Sequence, residues 1–357
     1  MMIRLNGLRR RLSWVNVLLW CVFGILLAAG FRENNIIRRF SGISLRYETP
    51  ISGQTALRAR QYAITNGETF WPTFWQDGSA AFSIGRGDVY SDIISFSGNA
   101  DLIWPARYIA GSAPGSLDSY GVAMSEALAH RIWGSIDIIG QSVEINGETR
   151  TVRGVFRGDA ALALLPFSID DTSQSWSGVV LSGGVTHATQ AEVENFALSS
   201  GLGRPSYILM GGEVALAGIM VVFPLFVPGI YALLLMAKFI RMHYPGFGVP
   251  LIIAGLMLFA VLLPYLLSRL PDWIIPTHWS DFSFWSSLFQ QAGNSMQEFL
   301  SVNPGLRDVA LRIHLMRLIG FLFLSISCGL SVCFRWRLGQ HAHIHQHNGE
   351  KYTQCNT

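Results

Sequence analysis

Four apolar runs, each close to the length that crosses a lipid bilayer, divide this chain and limit what it can fold into. They cover residues 12–31, 213–237, 249–267 and 318–334. A helix of about 20 consecutive apolar residues crosses the hydrocarbon core of a bilayer. The chain is 50% hydrophobic and only 14% charged, against about 25% charged in ordinary soluble domains. The pattern predicts a membrane protein with four transmembrane helices and a large polar segment, 32–212, between the first two.

Basic residues set the predicted orientation of these four helices. Positive charges precede the first run, separate the second from the third, and follow the fourth: Arg4, Arg9, Arg10, Arg11, Lys238, Arg241, His243, Arg335 and Arg337. Positively charged flanks stay in the cytoplasm, so segments 1–11, 238–248 and 335–357 are predicted to be cytoplasmic. Segments 32–212 and 268–317 are then extracytoplasmic, although the second also holds four arginines.

The first run has a second interpretation, as a cleaved signal peptide. It is too long for a typical signal-peptide core, and Arg32-Glu33-Asn34-Asn35 is a poor cleavage site. We therefore expect an uncleaved transmembrane helix and a multi-pass membrane protein.

Several classes of function are disfavoured by the residues present. A net charge of +3 and the lack of a basic run interleaved with aromatic residues give no sign of a nucleic-acid partner. No G-x-x-x-x-G-K-[ST], G-x-S-x-G or H-E-x-x-H motif occurs in the sequence. The apolar runs hold almost no ionisable residue, whereas ion-coupled carriers normally place such residues in their spans. We expect no catalytic residues and no bound cofactor in this chain.

Residues 121–156 carry the strongest local signals of the polar segment. A short apolar run precedes Ser125, which is a good helix N-cap, and Gly134 stands where such a helix would end. Asn146-Gly147, flanked by alternating apolar residues, is the strongest short hairpin signal. A change of spacing at Gly154 indicates a β-bulge. The segment is predicted to run strand, helix, loop and hairpin.

The same segment resembles the periplasmic core domain of MacB/FtsX-type ABC transporter permeases. The residues that carry the resemblance are Ser125-Glu126-Ala127-Leu128-Ala129, Arg131, Gly134, Ile139-Gly140, Val143, Asn146-Gly147 and Val152 to Val155. The resemblance implies a mixed α/β (α+β) extracytoplasmic domain inserted between the first and second spans of a protein in a bacterial plasma (inner) membrane. It also implies export or rearrangement of a peptide, antibiotic, lipid or lipoprotein by mechanotransmission.

The resemblance further implies a set of partners. These are an ABC ATPase subunit that supplies ATP hydrolysis, a homologous permease subunit or a second copy of the chain, a periplasmic adaptor, and membrane lipids. In the family the ATPase acts on a coupling helix between the second and third spans.

This chain departs from the family pattern in two loops. Segment 238–248 is short and lacks the usual coupling sequence, so only Lys238, Arg241 and His243 remain as ATPase-contact candidates. Segment 268–317 is long and rich in tryptophan, and residues 282–300 are predicted to form an interfacial helix. The short loop favours an alternative function, a membrane-anchored scaffold or sensor whose outer domain binds an envelope partner.

The remaining secondary structure of the polar segment is predicted from periodicity and turn signals. Helices are expected at 52–67 and 189–199, and strands at 79–84, 88–96, 160–169 and 178–181. Trp71, Phe74, Trp75 and Trp104 are expected in core or interdomain packing, with a sugar-binding platform as the alternative.

Two groups of residues have the side chains and spacing of possible metal ligands. Glu126 and His130, four apart on the predicted helix, are expected to be an ordinary exposed pair, because no second pair of ligands lies nearby. His341, His343, His345 and His347 alternate in the polar C-terminal tail and are weak candidates for a transition-metal site. We predict no metal site elsewhere in the chain.

Overall fold

The computed structural model describes residues 2–210, except 41, 86, 116, 117 and 185–187, and residues 304–354, with isolated positions between 224 and 301. The chain divides into two compact units. The helical unit comprises Met1–Asn35, Leu216–Leu270 and Ile313–Thr357, and the sheet unit comprises Ile36–Ala215 and Pro271–Arg312.

Helices and strands are mixed along the described part of the chain. The helices are α1 (Met2–Ile37), α2 (Gly53–Asn66), α3 (Ala100–Ile103), α4 (Glu126–Trp133), α5 (Gln190–Ser199) and α6 (Leu306–Gln354). The strands are β1 (Ile43–Ser52), β2 (Trp71–Ser83), β3 (Asp88–Ser97), β4 (Tyr108–Gly111), β5 (Gly121–Ser125), β6 (Ser142–Ile145), β7 (Glu148–Phe156), β8 (Leu162–Pro166), β9 (Ser175–Ser182) and β10 (Tyr207–Leu209).

Two described helices are long and apolar enough to cross a membrane. They cover Trp14–Ile37 and Leu306–Val332, within α1 and α6. The first and fourth predicted spans fall in these helices, whereas the second and third, 213–237 and 249–267, lie outside the described residues. The structure differs from the prediction at 306–317, which we expected to be part of a loop. These residues form the first turns of α6.

The strands form one mixed sheet in the order β10-β1-β9-β2-β3-β8-β5-β7-β4, and β6 pairs with both β2 and β7. Most neighbours are antiparallel, but β3 and β8 run parallel, as do β5 and β7. Together with α2, α4 and α5, the sheet gives the α/β domain that the sequence predicts.

The local signals in the sequence form the caps and turns that they predict. Ser125 caps α4 and the left-handed Gly134 ends it, as predicted. The helix expected at 52–67 is α2, which is capped by Ser52 and ended by the left-handed Gly67. Asn146 and Gly147 both have positive φ, at 50° and 88°, which is the geometry of a tight two-residue hairpin. On β7, Arg153 is an extra residue opposite β5, so the bulge lies beside Gly154 as predicted.

Apolar side chains from the helices fill the core on the sheet. One cluster joins α2 and α5 to β1, β2 and β9, with Phe74 and Trp176 among its largest members. A second cluster packs α4 on β5 and its neighbours. A third contains Trp75 and Phe96, and Leu306, the first residue of α6, is partly buried against it. Of the aromatic residues expected in the core, Phe74 and Trp75 are fully buried, whereas Trp71 is 44% exposed.

Candidate functional site

A buried ionic cluster holds the first turn of α6 on the sheet. We call it the α6 seat and define it by Arg46 on β1, Trp75 and Asp77 on β2, Gly178 on β9, and Leu306 and Asp308 on α6. All of these residues belong to the sheet unit.

A glycine opens the space in which the seat forms. Gly178 pairs with Arg46 on one neighbouring strand and with Trp75 on the other. A Cβ at Gly178 would lie 2.8 Å from the Trp75 ring and 2.9 Å from Nη1 of Arg46. Because glycine has no side chain, Arg46 can lie across the sheet, with its guanidinium carbon 3.8 Å from the Trp75 ring centroid.

Arg46 forms an ion pair with Asp308 of α6. The two side chains are only 9% and 6% exposed, so the pair is almost completely removed from water. Burial lowers the pKa of Arg46, and the charges of Asp308 and Asp77 oppose that change. A carboxylate in the first turn of a helix also interacts favourably with the helix dipole.

Asp77 contacts the same turn through the backbone. Its Oδ2 atom accepts a hydrogen bond from the Leu306 N–H at 2.8 Å. Burial raises the pKa of Asp77 to about 6, and the Leu306 hydrogen bond and the Arg46 charge only partly offset this. The other oxygen, Oδ1, has no hydrogen-bond partner among the described residues.

Arg307, the second residue of α6, also points into the sheet unit. It is 1% exposed, and its Nε donates to the Leu102 carbonyl at 3.3 Å. Its guanidinium carbon lies 5.5 Å from the ring centroid of Phe40. Three successive residues, 306–308, thus connect the start of α6 to four different parts of the sheet unit.

In the helical unit, α1 and α6 pack directly on each other. A Cβ at Gly30 would lie 3.7–3.9 Å from Leu318, Phe321 and Leu322, which is ordinary van der Waals contact. One turn further along α1, Oε2 of Glu33 lies 2.6 Å from Nδ1 of His314. The two helices of membrane-spanning length are therefore neighbours.

A shallow cavity of about 480 Å³ lies on the sheet unit between the end of α2 and α5. Phe70 and Phe196 form part of its wall, and Glu68 and Glu192 contribute carboxylates. One Glu192 oxygen accepts the Thr189 N–H in the capping box of α5, so this carboxylate already has a structural role.

For most of the residues that the sequence indicated as candidate sites, the side chains lie outside the described part of the chain. The ATPase-contact candidates Lys238, Arg241 and His243 lie outside the described residues. So do the side chains of His341, His343, His345 and His347. Glu126 and His130 lie in the first and last turns of α4. Within the described ranges, no group of three or more His, Cys, Asp or Glu residues could hold a metal ion.

Of the residues of the α6 seat, the sequence indicated Trp75 alone, and only as a packing residue. Arg46 and Asp308 are 262 positions apart, and neither belongs to a recognisable motif. The available signal was weak: a buried-strand pattern at 43–46 that ends in an arginine, and a charged pair at the start of a long apolar helix.

Comparison with known proteins gives structural neighbours only. No protein-family model matches the chain. No curated protein matches it either. The periplasmic region of MacB from Actinobacillus actinomycetemcomitans is similar over 47% of this chain and 87% of its own length, with 10% identity and a TM-score of 0.39. The extracellular domain of YknZ, a noncanonical ABC-type transporter from Gram-positive bacteria, is similar over 44% and 88%, with 11% identity and a TM-score of 0.35.

These neighbours are of the kind that the 121–156 segment resembles. Their identities and TM-scores are low, so the function proposed for this chain rests on its own residues.

Proposed function

We propose that this chain is the permease subunit of an ABC-type transporter of the MacB/FtsX kind. The observation that carries the proposal is the construction of α6. Its first turn is bound to the sheet unit by an ion pair and by hydrogen bonds to Asp77 and Leu102, and the same helix continues as an apolar segment of membrane-spanning length. A helix built in this way can transmit movement between membrane and outer domain.

The α6 seat suits this mechanical role because it resists separation. Breaking a buried ion pair by removing one partner typically costs about 3–5 kcal/mol. The first turn of α6 therefore moves with β1 and β2. The proposed activity is mechanotransmission, in which ATP hydrolysis outside this chain drives movement of the sheet unit.

The proposed topology has four spans, with both termini in the cytoplasm of a bacterium and the sheet unit outside its plasma membrane. It is supported by the distribution of basic residues along the sequence. The proposed cargo is a peptide, antibiotic, lipid or lipoprotein that is exported or rearranged outside the membrane.

The chain is proposed to lack enzymatic activity and to bind no cofactor itself, with ATP bound by a partner ATPase. Lys238, Arg241 and His243 are the proposed ATPase contacts. A homologous subunit or a second copy, a periplasmic adaptor and membrane lipids complete the proposed set of partners.

The proposal is tested by purifying the tagged full-length chain from native membranes in a mild detergent or nanodiscs. Mass spectrometry then identifies the proteins that co-purify, with an unrelated inner-membrane protein of similar size as the control. We expect a stoichiometric ATPase subunit that the control does not recover. Recovery of the chain alone, or with envelope proteins only, would contradict the permease function.

The second candidate function is a membrane-anchored scaffold or sensor. It is favoured by one specific observation, the absence of the family's coupling sequence from the 238–248 loop. The same purification separates the two candidates, because a scaffold is expected to recover an envelope protein without an ATPase.

A further inference from the structure

The α6 seat contains a carboxylate whose charge is poorly compensated. Asp77 lies beneath the first turn of α6 and uses one oxygen to accept the Leu306 N–H. Among the residues that the structure describes, it makes no ion pair closer than 4.0 Å, and its second oxygen accepts no hydrogen bond.

We propose that the α6 seat is a proton-linked latch, in which a proton on Asp77 favours the seated first turn of α6 and loss of that proton favours its release from the sheet. The proposal rests on the proposed function, since it adds a form of regulation to the same mechanical connection.

The charged groups around Asp77 explain why its ionised form is disfavoured in the seat. On β1, Arg46 is the cation whose charge acts on Asp77, but it is already paired with Asp308. Asp308 on α6 and Asp92 on β3 add negative charge and oppose ionisation. Arg307 and Arg312 follow on α6, and Arg312 acts on Arg46. The adjacent strand β9 contains no charged residue.

The direction of the pH effect follows from the hydration of the Asp77 carboxyl group, which differs between the seated and released states. In the seat, burial raises the pKa of Asp77 to about 6, from an ordinary value of 3.8. When the first turn of α6 leaves, the carboxyl group becomes hydrated and its pKa falls towards the ordinary value. The seated state therefore binds the proton more tightly than the released state. Linkage requires the seated population to grow as the pH falls through 6 and to shrink as the pH rises.

The size of the effect follows from the same two pKa values. Between pH 7.5 and pH 5, a carboxyl that titrates near 6 when seated and near 3.8 when released changes the ratio of seated to released molecules by about tenfold. Acid is thus expected to tighten the connection between α6 and the sheet.

Hydrogen exchange of the full-length chain in nanodiscs tests the latch without any ATPase. The backbone amides of 305–309 report the seat, because the Leu306 N–H bonds to Asp77 and the Val309 N–H bonds to the Gly305 carbonyl. After correction for intrinsic exchange rates, we expect these amides to be about tenfold more protected at pH 5 than at pH 7.5.

Two variants complete the experiment. Asp77→Asn cannot ionise and is expected to give the same high protection at both pH values. Asp88→Asn is the matched control: its exposed carboxylate lies on the neighbouring strand β3 and is not among the charges that act on Asp77, so this variant is expected to retain the tenfold difference. Equal protection of the wild-type amides at both pH values would overturn the proposal, as would a tenfold difference that persists in Asp77→Asn.

The outcome is independent of the purification experiment. A pH-dependent seat in a chain that recovers no ATPase would retain the latch and remove the permease function. A pH-independent seat in a chain that recovers an ATPase would remove the latch and retain the permease function.

Discussion

Arg46 lies over the face of Trp75, with its guanidinium carbon 3.8 Å from the ring centroid, and forms an ion pair with Asp308. The tryptophan ring thus supports the cation that holds the first turn of α6. Two positions of the sheet on either side of Gly178, one on β1 and one on β2, hold the start of this long helix.

Replacement of Arg46 by alanine is expected to destabilise the sheet unit strongly. Asp308 would remain buried without its cation, at a cost of about 3–5 kcal/mol, or roughly 10 °C in Tm for a domain of this size. Thermal unfolding of the full-length chain in detergent, followed by near-UV circular dichroism, measures the change. The control is Arg153→Ala, which removes an ion pair to Asp118 whose side chains are 48% and 29% exposed. Its expected cost is about 0–1 kcal/mol, and similar losses in the two variants would contradict the importance of the buried pair.

A methyl group at position 178 is expected to separate Arg46 from Trp75. The Cβ of Gly178→Ala would meet both side chains at 2.8–2.9 Å, and such overpacking costs about 1–3 kcal/mol. Gly78→Ala on β2 is the matched control, since its Cβ would make an ordinary contact with Ile93 at 3.4 Å. Urea unfolding of the two variants gives the difference in the free energy of unfolding. Equal stability would show that the space above Gly178 is not required.

The stability of the sheet unit is expected to depend on pH through Asp77. Because the pKa of Asp77 is about 6 in the folded protein and 3.8 ordinarily, proton binding stabilises the folded state fully below pH 3.8, and this contribution is lost as the pH rises through 6. Asp77→Asn is therefore expected to be more stable than the wild type at pH 7.5, by about 1–2 kcal/mol after allowance for partial exposure of the side chain. The difference in Tm between the two proteins should decrease between pH 7.5 and pH 5. A constant difference over this range would exclude the titration of Asp77 as its cause.

Ser125 is expected to contribute more than an ordinary helix cap. Its Oγ accepts the Leu128 N–H of α4 at 3.2 Å and also the Leu162 N–H of β8 at 3.1 Å. Ser125→Ala leaves two buried N–H groups without this acceptor and should cost about 2–3 kcal/mol. Thr189→Ala, which removes the exposed cap of α5, should cost about 1 kcal/mol. The comparison uses the midpoint of chemical unfolding, and a smaller loss for Ser125→Ala would refute the double role.

The predicted ATPase contact is tested by reversing charge in the 238–248 loop. Lys238→Glu combined with Arg241→Glu should abolish stimulation of the partner ATPase. The two acidic side chains would repel the negatively charged groups that the basic residues are proposed to contact. Vesicles that contain the chain and its co-purified ATPase provide the assay. The control is Arg335→Glu, which reverses the charge of a basic residue after the fourth predicted span. This variant should retain stimulation. Unchanged stimulation in the double variant would remove Lys238 and Arg241 from the interface.

Features that depend on neighbouring residues could be predicted from the sequence. Ser52 and Gly67 bound α2, Ser125 and Gly134 bound α4, and Asn146-Gly147 closes a hairpin, because caps and tight turns are chosen by the few residues that form them. The apolar runs at both ends also predicted two helices of membrane-spanning length. The ordered motifs of 121–156 carry the resemblance to MacB/FtsX-type permeases, and the periplasmic region of MacB is among the structures to which the chain is similar.

Strand order and the α6 seat were decided by tertiary structure. The sequence did not predict β1, β4 or β10. Short strands at the sheet edges, such as β4 and β10, carry little periodicity, whereas β1 begins with a run of buried residues whose place depends on pairing with β9 and β10. It also placed the start of the last helix at 318, where hydropathy rises, rather than at Leu306. That start depends on Arg46, Asp77 and Leu102, more than 200 positions away in the chain. Local propensity determined the caps, turns and apolar segments of this protein, whereas the position of its buried charges depended on which strands the fold brought together.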